Sequence, residues 1–196
     1  MSKIFFMKRV TFTICFIALS AIFTITNAQT PDEMKKWMDF MTPSDVHKMM
    51  AASDGEWNME IQMWMDPNAP AQSMKANCVN KMILGGRYQE SINTGSYNGM
   101  PFEGHSLTGW DNARKIFVST WIDNMGTGIM YMEGPWNDAT KTMELKGKMT
   151  DPMTGQVKDV RQTMKMVDAN TQVMEQYDTK DGKEYKSMVI KFTRKM

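Results

Sequence analysis

The sequence predicts a mainly β chain, an up-and-down antiparallel β-barrel of 8 to 10 strands with helices on its N-terminal side. Three observations predict it. Turn-forming residues Gly85, Asn98, Asp111, Asn124, Asn137, Asp151, Asp168 and Asp181 recur at gaps of 13, 13, 13, 13, 14, 17 and 13 residues. Deducting the turn residues leaves segments of roughly 9 to 10 residues, which suits strands and is too short for helices alternating with strands. Several of these segments alternate apolar and polar residues with period two. Asn98-Gly99 and Asp181-Gly182 are dipeptides that tight primed hairpin turns demand, because both turn centres need positive φ. A sheet of many equal strands usually removes its exposed edges by closing on itself.

Residues 1–28 read as a secretory signal peptide. Lys3, Lys8 and Arg9 supply the positive start, Val10 to Phe23 is an uncharged apolar run, and Thr26-Asn27-Ala28 is a small-residue cleavage site. The apolar run is shorter than the ~20 residues that span a bilayer, so the expectation is an exported protein, periplasmic or secreted, with no membrane span after cleavage. Of 23 Lys and Arg, those three leave with the signal. The remaining 20 stand against 22 acids, and no basic stripe points to nucleic acid. Cys78 is the one cysteine beyond the signal, so no intrachain disulfide is expected. Methionine is abundant: 24 in the chain, with only Met1 and Met7 in the signal. Unbranched and polarizable, it suits a plastic core or an apolar lumen.

Residues 29–54 form the predicted helical segment. Thr30-Pro31-Asp32-Glu33 carries a cap, a proline at the first helical position and an acid to close a capping box. Met34, Trp37, Met38 and Met41 then share a face. Thr42-Pro43-Ser44-Asp45 repeats the start signal, and Val46, Met49 and Met50 continue an apolar face until Gly55. Such helices would plug one barrel end or cover an apolar patch outside it.

The barrel is expected over 55–196. Trp57, Met59, Ile61, Met63 and Met65 alternate with Asn58, Glu60 and Gln62, until Asp66-Pro67-Asn68-Ala69-Pro70 breaks the strand. Late strands alternate as cleanly: Met143, Leu145 and Met149 against Glu144, Lys146 and Lys148; Val160, Met164 and Met166 against Arg161, Thr163 and Lys165. Met188, Ile190 and Phe192 share one parity in the last strand. Lysines on the outer face argue against an outer-membrane barrel, where each near the midplane costs ~2–4 kcal/mol. The middle strands differ. Phe117 and Trp121 share one face while Ile116, Val118 and Ile122 occupy the other, and Met130, Met132 and Trp136 oppose Ile129 and Tyr131. Both faces are partly apolar, so the outer one calls for cover by the helices or by a second copy, which leaves room for a homo-oligomer.

Gly55-Glu56-Trp57, placed before the first strand, resembles the Gly-x-Trp signature that opens lipocalin and wider calycin barrels. The resemblance implies that Trp57 closes the barrel base under a basic residue from the last strand. Arg194 shares the inward parity of Phe192 and is the candidate for that contact. Gly55, Trp57 and Arg194 are thus expected to be structural.

A longer resemblance covers most of the chain beyond the signal. Met63-Trp64-Met65-Asp66-Pro67, Met82-Ile83-Leu84-Gly85-Gly86-Arg87-Tyr88, Pro101-Phe102-Glu103-Gly104, Gly109-Trp110-Asp111-Asn112, the run from Ser119 to Gly128, and Thr150-Asp151-Pro152-Met153-Thr154-Gly155 occur in order. They resemble segments of the bacterial domain-of-unknown-function family numbered fifteen seventy-nine. The resemblance implies an exported lipocalin-like barrel and carries no activity. Trp110 departs from it, standing where tyrosine is commoner.

No metal or cofactor is expected. The two histidines, His47 and His105, lie in separate segments and give no zinc spacing. A haem barrel like nitrobindin would want a histidine in a late strand, and none follows His105. The helix methionines could offer thioethers to Cu(I), but burial explains their spacing equally well. No nucleophile elbow is present, and no catalytic residue is assigned. The leading expectation is a binding protein that holds a small apolar or amphipathic molecule in its lumen, as barrels of this size can. Tyr88, His105, Trp121, Asp123 and Tyr131 are the lumen candidates, because they fall in the strands whose alternation is least regular. One alternative is an acid–base enzyme (isomerase, cyclase or lyase) using the same pocket, with Glu90, Asp123 and His105 as its titratable groups. Another is an interaction or dimerisation module with a filled core and a sticky outer face at Ile116, Val118 and Ile122.

Overall fold

The computed structural model of the chain describes residues 30–196. The signal-peptide reading of 1–28 lies outside the described residues. The chain divides into two units at Asp39/Phe40. Helix α1 (Pro31–Met41) begins in the first. Its capping box forms as the sequence predicts: Thr30 N donates to Glu33 Oε2 at 2.8 Å, and Glu33 N donates to Thr30 Oγ1 at 3.2 Å. No residue of α1 is buried.

In the second unit, helix α2 (Asp45–Ala51) precedes a single sheet. The strands are β1 (Gly55–Met63), β2 (Gln72–Ile83), β3 (Tyr88–Tyr97), β4 (Met100–Asp111), β5 (Ile116–Asp123), β6 (Met130–Gly134), β7 (Trp136–Asn137), β8 (Thr142–Thr150), β9 (Val157–Asp168), β10 (Thr171–Lys180) and β11 (Lys183–Arg194). Their order is β6-β5-β4-β3-β2-β1-β11-β10-β9-β8-β7, and β6 also pairs with β8. Every ladder is antiparallel. The sheet is therefore closed. β6 and β7 are one wall strand interrupted at Pro135, which has no N–H to give a ladder, so the barrel has ten strands. No helix follows Trp57 among the described residues.

Each predicted turn residue lies at a strand end or in a connection, and many act through their side chains. Asp111 Oδ1 accepts from Ala113 N (2.8 Å) and Arg114 N (3.0 Å), Asp151 Oδ1 from Met153 N (2.8 Å), and Asp168 Oδ1 from Asn170 N (2.7 Å). Such Asx turns add side-chain acceptors to the backbone bonds of the reversals, as in Lys115 N to Asp111 O and Gly155 N to Asp151 O, each 2.8 Å. Asn98-Gly99 and Asp181-Gly182 all have positive φ, as primed hairpin turns require. The β6–β8 junction is tight: a Cβ on Gly134 would lie 1.9 Å from the Glu144 carbonyl oxygen, and one on Gly147 would lie 2.1 Å from that of Tyr131.

Two buried clusters pack against the inside of the barrel wall. One joins Trp57, Met59, Ile61, Ala76, Cys78, Ile190 and Phe192 from β1, β2 and β11. The other joins Phe117, Met132, Leu145 and Val160 to Met50 of α2, with Val46 and Met49 packed against it. So α2 plugs the base, as its apolar face predicts. His47, buried in α2, takes the capping-box place of Glu or Gln: Ser44 N donates to its Nδ1 at 2.9 Å. Burial, then the charge of Arg87, holds its pKa below the ordinary value. Outside, Lys146, Lys148, Lys165 and Lys191 are exposed. Among the described residues no helix is long and apolar enough to cross a membrane.

Candidate functional site

Which side chains enter the lumen follows from register alone. Trp57 points inward and is 1% exposed. Residues directly opposite on an antiparallel pair share a face. Trp57 stands opposite Cys78, Cys78 opposite Asn93, Asn93 opposite Gly104, and Gly104 opposite Asp123. Alternation along each strand then assigns the rest.

The lumen holds a cavity of about 440 Å³, within the ~300–1,000 Å³ of small-molecule sites. Its two sides differ. On β3, β4 and β5 the inward residues include Ser91, Asn93, Ser106, Thr108 and Ser119. Thr108 Oγ1 lies 2.9 Å from Ser119 Oγ and 3.4 Å from Ser106 Oγ. Across the ring, β9, β10, β11 and β1 present Met164, Met174, Met188, Ile190, Met59 and Met63. Gln172 and Gln176 flank Met174 along its strand, and Gln162 Nε2 donates to Gln176 Oε1 at 2.8 Å.

At the end away from α2, Trp121 Nε1 donates to Asp123 Oδ2 (2.7 Å), and Asp123 Oδ1 accepts from Met125 N (2.9 Å). Phe102 stacks near the indole, with ring centroids 6.3 Å apart at 22°. Gly104 makes this possible. A Cβ there would meet Trp121 Cζ2 at 2.4 Å, so the indole lies directly on the backbone of β4. Asp123 is the one charged side chain among the described lining residues.

Of the five sequence-based lumen candidates, Trp121 and Asp123 line this cavity. The other three need correction. Tyr88 is opposite Gly109, His105 is between Ile92 and Ile122, and Tyr131 is between Thr120 and Lys148, all on the outer face. There His105 Nε2 lies 2.8 Å from Glu103 Oε1. Tyr131 Oη donates to Glu133 Oε2 at 2.7 Å, which raises the phenol pKa. Irregular alternation drew attention to these strands, but it came from apolar residues outside as well as polar residues inside. Asn93, Ser106, Thr108 and Ser119 were missed because polar side chains do not announce an inward face. Glu90, opposite Lys81 and Leu107, is also on the outer face, so of the proposed acid–base trio only Asp123 reaches the lumen. Cys78 is buried; its thiol pKa is pushed up to about 12, and its Sγ donates to Asn80 Oδ1 at 3.1 Å. No cluster of three or more His, Cys, Asp or Glu among the described residues is placed to hold a metal ion.

At the base, Arg194 Cζ sits 4.3 Å from the Trp57 ring centroid. Its Nη1 donates to Asp54 O (2.7 Å) and its Nη2 to Ala52 O (2.6 Å), capping carbonyls after α2. Gly55 turns the chain here with φ +117°, beneath the same guanidinium.

A closed ten-strand meander, shut at one end by a stacked Trp–Arg pair, is a lipocalin-like barrel. The chain belongs to the family described as "Protein of unknown function (DUF1579)", whose sequence model matches residues 42–194. The crystal structure of Rv2717c from M. tuberculosis is similar to it with a TM-score of 0.60 at 10% identity, covering 79% of this chain and 100% of that one. At that identity the likeness concerns the fold alone. Comparison with curated proteins returned no match.

Proposed function

We propose that the protein is an exported binding protein that holds one small apolar or amphipathic molecule in its lumen. The observation that carries this reading is the cavity of about 440 Å³ inside a barrel otherwise filled by its own side chains. Thioether and aromatic surfaces supply adaptable apolar contact, and a few convergent polar groups supply orientation. Export rests on the charged start, apolar run and small-residue site of residues 1–28. Native mass spectrometry of protein purified from its own host tests both parts. A mass increment lost on mild denaturation, on a chain lacking its first 28 residues, is expected. An intact N-terminus would remove export. A chain that carries no increment and takes up no apolar dye would remove binding.

The outer face favours a second reading, a self-association module. Leu107, Ile122 and Tyr131 are 42%, 47% and 48% exposed on neighbouring strands. Sedimentation at micromolar concentration decides it, since a strict monomer leaves that strip without this role.

A further inference from the structure

The polar side of the lumen has more hydrogen-bonding capacity than the protein uses. Ser106, Thr108 and Ser119 form a row of three hydroxyls. Two contacts within the row occupy two of its three protons and leave most of its lone pairs free. Asn93 is 4% exposed; its Nδ2 donates to Gly104 O at 3.3 Å, and its Oδ1 accepts nothing among the described residues. Ser91 Oγ, opposite Ser106, likewise makes no hydrogen bond among them. Asn93 and Ser119 are buried and Ser91, Ser106 and Thr108 half-buried, and polar groups withdrawn from bulk water are normally paired. They are neutral, and they offer both donors and acceptors.

Charge points the same way. No Lys, Arg or His is among the described lining residues. Asp123 is the lone charge, and both its oxygens already accept hydrogen bonds. An anionic head group would lose its hydration here and gain no counter-charge. Across the ring the Gln162 and Gln176 amides are engaged with each other, and Met164, Met174 and Met188 supply the hydrocarbon surface.

Resting on the lumen reading, we propose that the ligand is uncharged and two-faced. Its hydroxyl, carbonyl or amide oxygens lie against Asn93, Ser106, Thr108 and Ser119, and its hydrocarbon lies on Met164, Met174 and Met188. The barrel thereby discriminates against carboxylates, phosphates and sulfates of the same skeleton.

Displacement of the neutral apolar dye Nile red from the full chain tests this, with dodecanol, dodecanamide and dodecanoate as competitors at about pH 8, where the acid is ionised. The alcohol and the amide should displace dye at concentrations about tenfold or more below the carboxylate. Thr108→Val, nearly isosteric, should weaken the alcohol about three- to tenfold, with each competitor read against the dye affinity measured on the same variant. A carboxylate that competes as well as the alcohol overturns the proposal. So does an unaltered alcohol affinity in Thr108→Val, which would mean that water alone meets that side. The wild-type series stands even if the variant folds poorly. A dye that never enters removes the lumen reading itself, which is a separate result from entry without discrimination.

Discussion

Two tryptophans at opposite ends of the barrel show what distinguishes a closure from a binding surface. Trp57 at the base is 1% exposed, donates to Ser53 O at 2.9 Å and lies under Arg194. Its polar atom is satisfied by backbone, and its ring by a guanidinium that is itself tied to three backbone carbonyls. Trp121 near the other end is half-buried, donates to the carboxylate of Asp123, and has one face on Gly104 and the rest on the cavity. The same side chain is immobilised in one place and left with an apolar edge to offer in the other. The difference lies in the partners, backbone at the base and side chain near the mouth.

The comparison is broken most directly at the base. Trp57→Ala should cost about 3–5 kcal/mol of stability, read by urea unfolding. A loss under about 1 kcal/mol would show that the base does not depend on this ring. Gly104→Ala comes next, by wedging the indole off the β4 backbone. An overpacking cost of about 1–3 kcal/mol is expected, with a changed near-ultraviolet circular dichroism spectrum. An unchanged spectrum and stability would mean that Trp121 does not rest there. Arg194→Met should cost about 2 kcal/mol through the lost ring contact and carbonyl bonds. Arg194→Lys should recover little of it, since an ammonium cannot reproduce the planar fork; full recovery would reduce the contact to simple charge.

The smallest effect concerns pH. His47 is held below its ordinary pKa of ~6.5, so the unfolded chain takes up the proton first. The associated stability is complete above about pH 6.5 and is lost as pH falls towards the folded value. His47→Gln keeps an acceptor for Ser44 N and should lose less stability than wild type between about pH 7 and 5. Parallel curves in thermal melts would take His47 out of the acid response.

The architecture was legible because turn chemistry is local. Asp111, Asp151 and Asp168 reverse the chain with their own carboxylates, whatever packs around them. The clean alternation at Trp57–Met63 and Met143–Met149 reads as one face in and one out, and the structure agrees. The middle of the barrel was harder to read, for a physical reason. Hydrophobicity marks an inward face only when the interior is apolar. On β3–β5 the inside carries Ser91, Asn93, Ser106, Thr108 and Ser119, while Leu107, Val118 and Ile122 sit outside. That reversal sent Tyr88, His105 and Tyr131 to the wrong side. A usable signal existed nonetheless. The two-residue turn at Asn98-Gly99 pairs Tyr97 with Met100, so it would have carried the inward parity of β3 into β4 once β2 had been fixed from Trp57.

All ladders but one join strands that follow one another closely along the chain. The exception is β1 with β11, where Trp57 meets Arg194 from the far end of the barrel sequence. The wall can therefore grow hairpin by hairpin from any starting point, and the cylinder is completed only when its two most distant strands find each other. Long-range pairing of this kind is the slow part of assembly. The Trp57–Arg194 contact sits at the end of that last ladder, so it latches a ring that would otherwise remain a curved ribbon.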